Sequence, residues 1–169
     1  MDKGWWNGDQ SSPEWYEHLS EKQKERLCEV QDFLGNNCLG WFVGSGKVRR
    51  ALTEVLCRLS DEAADTVLCN SSIAVIDGSS SAAWPWRFVC PAHGTVHETR
   101  LHIIVLRKQL RYMPYKAVVG EVAREFAHVV AGHNLHSDER CQAEADSLAR
   151  GWGFREEIDA LNSEPAEND

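Results

Sequence analysis

The stretch that decides the reading runs from Val118 to Phe154, VVGEVAREFAHVVAGHNLHSDERCQAEADSLARGWGF. At 100° per residue, Val118, Val119, Val122, Phe126, Val129 and Val130 form one apolar stripe, and Glu121, Arg124, Glu125 and His128 fall on the adjoining face. The pattern predicts a helix from about Pro114 to Ala131 and, after a short loop, a second from about Asp138 to Gly151. Ser137 can cap the second helix, whose inward stripe reads Cys141, Ala145, Leu148 and Trp152. On that wheel Glu144 lies at the edge of the buried stripe, whereas Glu139, Gln142, Asp146 and Arg150 lie on the solvent side. An inward carboxylate requires a metal or a cationic partner, and Arg124 and His128 both qualify.

Outward from these helices, the chain of 169 residues with 43% hydrophobic and 26% charged residues fits one globular domain. Residues 1–12 read as a flexible arm. Ser12-Pro13-Glu14 starts a helix that Gly35-Asn36-Asn37 ends, and further helices follow from about Lys47 and, capped by Ser60, up to about Leu68. Ile73–Ile76 reads as a strand, and Trp86–Cys90 with Thr95–Leu106 as a hairpin turning at Pro91–Gly94. Residues 155–169, with six acids against one Arg, read as a frayed acidic tail, which leaves 13–154 as the domain. Helices, then strands, then helices indicate an α+β fold with a small, mostly antiparallel sheet carrying packed helices.

The net charge of −8 argues against nucleic acid as a partner, and the basic run Arg107, Lys108, Arg111 and Lys116 reads as a solvated surface. No apolar run approaches a membrane span and no export signal is legible, so a cytoplasmic protein with six reduced cysteines is expected. Cys90, His93, His97 and His102 form a weak metal cluster, because His97 and His102 point to opposite faces of a strand. Gly44-Ser45-Gly46-Lys47 lacks the upstream Gly of a phosphate loop, and no Gly-x-Ser-x-Gly elbow occurs.

The segment Arg124-Glu125-Phe126-Ala127-His128 has the spacing of a His-Glu-x-x-His zinc helix with Arg in the first position. Together with Glu144-Ala145-Asp146-Ser147-Leu148-Ala149-Arg150-Gly151-Trp152-Gly153-Phe154, it resembles the active-site half of compact bacterial zincin metallopeptidases. The resemblance implies a zincin-like domain in which Glu125 is the catalytic base, His128 the second His ligand and Glu144 the acidic ligand. Arg124 replaces the first ligand, and a guanidinium has no lone pair to offer a metal. The metal set is therefore incomplete at His128 and Glu144, and Arg124→His is expected to complete it. The implied function is a degenerate metallopeptidase-like protein, a pseudo-peptidase that holds no tightly bound cofactor and binds a peptide or protein partner. The alternative is an active metal-dependent peptidase or hydrolase that keeps zinc through a substitute ligand from His133, His136 or Cys141.

Overall fold

The computed structural model describes residues 14–39, 46–69, 73–78, 82–92, 95–133 and 138–165. The first helical region divides where Ser20 offers a better start than continuation. Its hydroxyl accepts from the Gln23 amide while the Gln23 side chain accepts from the Ser20 N–H, a reciprocal capping box. The expected single helix is therefore three, α1 (Glu14–Glu17), α2 (Glu21–Glu25) and α3 (Leu27–Asn37). The Ser12 cap lies outside the described residues. Strand β1 (Cys38–Leu39) follows, then α4 (Gly46–Arg58) and α5 (Asp61–Leu68), the latter capped by Ser60 as its sequence predicts.

Strands β2 (Ile73–Gly78), β3 (Ala82–Ala92) and β4 (Thr95–Arg107) complete a sheet of order β1-β2-β4-β3. The α+β class stands, but the mostly antiparallel sheet is corrected. The hairpin β3–β4 is antiparallel, with Ala92 opposite Thr95, while β1–β2 and β2–β4 are parallel. Turn chemistry reveals a hairpin because its partners are local; nothing local reveals that β4 inserts between β3 and β2.

Helix α6 (Tyr115–Ala131) is the central element, buried along nearly its whole circumference from Ala117 to Val129. Its apolar stripe meets Phe33 of α3, with the Phe33 and Phe126 rings 6.4 Å apart. It ends on Gly132 at φ 69, the left-handed conformation that glycine adopts at low cost. Helix α7 (Glu139–Gly151) is capped by Asp138, whose carboxylate accepts from the Cys141 amide; the proposed Ser137 cap lies outside the described residues.

The acidic tail is corrected for residues 155–162, which form α8 (Arg155–Asn162), with Ile158 and Leu161 buried. The packed domain thus extends past residue 154. The i, i+3 apolar pair is enough to dock a short helix whose other faces are charged. Docking is close at Gly120, where a Cβ would stand 2.3 Å from the Glu157 carbonyl oxygen. Glycine there lets the α6 and α8 backbones meet.

Candidate functional site

The polar face of α6 is covered by α7 and α8. Arg124 donates from Nε and Nη2 to the two oxygens of Asp146 at 2.6 and 3.0 Å, a two-pronged ion pair, and its Nη2 also reaches Asn162 Oδ1. Asn162 Nδ2 donates to Asp146 at 3.1 Å, closing the ring across α6, α7 and α8. The pair is largely dry, with side-chain exposures of 11% for Arg124 and 12% for Asp146.

Gln142, one turn before Asp146, fills the space between Arg124 and His128. With its amide nitrogen donating to His128 Nε2 at 3.0 Å, its oxygen accepts from Arg124 Nη1 at 3.1 Å and Nε at 3.3 Å. This orientation gives every donor an acceptor. It also fixes the imidazole: His128 accepts at Nε2, so Nδ1 carries the proton and donates to His133 Nδ1 at 2.9 Å. His133 then turns its Nε2 toward Glu144 Oε2, 3.4 Å away. A directed chain of polar contacts runs from Arg124 to the surface.

Two expectations for α7 are corrected. Asp146, placed on the solvent side, is the buried partner of Arg124, and Glu144, placed inward, is exposed with a side-chain exposure of 61%. Of the expected inward stripe Cys141, Ala145, Leu148 and Trp152, only Ala145 is fully buried; Leu148 and Trp152 pack at the margin, and Ala149 faces inward with Ala145. Small residues permit close approach to α6, and the carboxylate that meets the buried guanidinium sets the rotation. Glu144 reaches the site only through His133. Of the substitute ligands, His133 touches His128, Cys141 is half-buried near the start of α7, and His136 lies outside the described residues. The side chains of Cys90, His93 and His97 also lie outside them, and that of His102 is half-buried.

Glu125 and His128 do not line an open groove, as a catalytic base and ligand would; they are 5% and 4% exposed. Glu125 Oε2 has no hydrogen-bond partner among the described residues. Burial, reinforced by the neighbouring Glu121 carboxylate, pushes its pKa up to about 8, while Arg124 and Arg107 pull the other way. Burial also depresses His128, so at neutral pH both groups are uncharged. The charges on this face are matched across it: Asp146 pairs with Arg124, and Arg107 lies 3.4 Å from Glu121.

These residues do not fit a zinc ion. Arg124, Gln142 and His133 surround His128, and of these four side chains only the two imidazoles are ordinary zinc ligands. Among the described residues, no group of three His, Cys, Asp or Glu side chains is placed to hold a metal.

A second region, with no signal in the sequence, holds a cleft of about 810 Å³. Trp15, Tyr115, Val119 and Trp152 supply its apolar surface, and Arg50, Arg58 and Lys116 its cations. Arg58 organises the floor, donating to Glu54 at 2.6 Å, to Glu157 at 2.8 Å and to the Gly153 carbonyl at 2.8 Å. Tyr115 donates to the other Glu54 oxygen at 2.8 Å. Charged residues separated by some hundred positions meet here, so no local pattern could announce it. No family model, curated protein or solved structure matches the chain.

Proposed function

We propose that the protein is a metallopeptidase-like scaffold of zincin type whose zinc site has been replaced by an internal ion pair, and that it binds a peptide or protein segment. The observation that carries the reading is the pairing of Arg124 with Asp146, which puts a fixed cation one helical turn from His128 and neutralises it from α7. A dication beside that guanidinium would meet repulsion and too few ligands. For a peptide, the sheet offers backbone. β2 pairs with β4 from His102 onward, so Thr95–Leu101 have a described strand partner on the β3 side alone. An extended segment can add there by main-chain hydrogen bonds. The outer edge of β3 is a poorer template, because Pro85 and Pro91 remove two donors.

On this reading the position that a metal would need on α7 is that of Gln142, which touches His128, rather than Glu144. The test is a gain of metal. Arg124→His with Gln142→Glu is expected to bind about one zinc per chain, measured by competition with a chromophoric chelator, while Arg124→His alone and the unaltered protein bind far more weakly. If the pair gains nothing, or if Glu144→Ala abolishes a gain made by Arg124→His alone, the reassignment is wrong. The competing reading, an active hydrolase with a substitute ligand, is favoured by the contact of His133 with His128. It requires that the unaltered protein hold zinc and lose it on His133→Ala.

A further inference from the structure

Charge along the chain is segregated in a way that the net value of −8 conceals. No acid occurs between Asp32 and Glu54, nor between Glu98 and Glu121, yet these two stretches hold eight of the eighteen Lys and Arg residues. The fold joins them. Lys47 at the start of α4 donates to the carbonyls of Arg111 and Met113 at 2.7 and 3.0 Å, clamping α4 to the turn that leads into α6. That turn is a 3-10 helix, Lys108–Arg111, exposed at Lys108 and Arg111. The Arg111 guanidinium lies 5.3 Å from the ring centre of Tyr112, which is 80% exposed, the one large hydrophobic side chain so placed among the described residues. On α4, Arg50 stands over the Tyr115 ring at 5.2 Å, and both line the aromatic cleft.

We propose that this surface, formed by Lys47, Arg50, Lys108, Arg111 and Tyr112, binds single-stranded nucleic acid. The cations supply a track for phosphates, and Tyr112, with the cleft walls behind Arg50, supplies flat faces on which unstacked bases rest. The aromatic component separates this partner from an acidic peptide, whose side chains would gain little from Tyr112, Tyr115 and Trp152. Most acids that line the cleft are paired within it. Glu156 pairs with Lys116, Glu157 and Glu54 are held by Arg58, and Glu14 lies on α1. The acidic remainder of the molecule confines binding to this one face.

The test is fluorescence anisotropy with labelled oligo-dT of about twenty nucleotides. An acidic peptide of equal charge serves as the comparison. The full chain is expected to bind the oligonucleotide at low salt and to lose roughly 20-fold in affinity between about 50 and 200 mM salt, the slope for three phosphates on a single strand. Arg50→Glu with Arg111→Glu should weaken binding at least tenfold. Tyr112→Ala, at a side chain too exposed to disturb folding, should weaken it about fivefold, against little effect on the peptide. The proposal is overturned by no binding at low salt, by binding that neither variant alters, or by an acidic peptide that binds as tightly as the oligonucleotide.

Discussion

The two halves of α6 use charge in opposite ways. Toward its C-terminus, Glu125 and His128 are buried, Arg124 is nearly so, and both Arg124 and His128 are hydrogen-bonded inside the protein. Toward its N-terminus, Tyr115 and Lys116 open onto a wide cleft beside a cationic surface. The first half carries the residues that resemble a catalytic motif, and the second carries none. A motif marks where chemistry is arranged in a family, but accessibility and charge balance decide where a molecule can still act. In this chain those residues are internal, and the open surface lies elsewhere.

The contrast is broken most sharply at the ion pair. Asp146→Ala leaves a guanidinium buried and unpaired, and should cost about 3–5 kcal/mol. The resulting fall in Tm, roughly 10 °C or more, is readable by calorimetry. Glu144→Ala, in the same helix but exposed, should cost no more than about 0.5 kcal/mol. Equal effects at the two positions would reverse the rotation assigned to α7. Arg124→Met on top of Asp146→Leu should recover most of the loss, because the pair is then replaced by apolar volume rather than broken.

Next in size is Gly120→Ala. A methyl group 2.3 Å from the Glu157 carbonyl oxygen must push α8 outward, an overpacking expected to cost about 1–3 kcal/mol. Hydrogen exchange should locate the added opening in residues 155–162, and a variant as stable as the parent would show that α8 does not dock tightly.

A further test is a pH dependence with two limbs. The Glu125 pKa is raised from 4.5 to about 8, so the folded protein keeps a proton that the unfolded chain has released. Its contribution is fully present below pH 4.5 and is lost as pH rises through about 8. His128 is depressed below 6.5, so its contribution is present above pH 6.5 and declines as the unfolded chain takes up a proton below it. Glu125→Gln should therefore flatten the alkaline limb of Tm against pH and leave the acid limb in place. An unchanged alkaline limb would mean that Glu125 is ionised and solvated.

Much of the framework was legible because it is written locally. The Ser60 cap and the α6 period each lie within a few residues and both helices form where their patterns place them, while the hairpin forms with a first strand, Ala82–Ala92, longer than the expected Trp86–Cys90. The relations between elements were not legible. The parallel neighbour of β4 is set by a non-local pairing, and α8 was hidden because two apolar residues in an acidic segment are weak evidence of a helix. The polar face of α6 was readable from its period, but its partner on α7 was not. The choice between Glu144 and Asp146 depends on a helix rotation of two residues, which the small inward Ala145 and Ala149 leave open until Arg124 is in place.

The central claim, that Arg124 and its carboxylate partner stand where a metal would, is tested most directly by the zinc content of the unaltered protein. After purification with zinc present and dialysis without chelator, elemental analysis should find well under one zinc per chain, about a tenth or less. One tightly held zinc per chain, lost on His128→Ala or His133→Ala, would contradict the account and establish a working metal site on this helix.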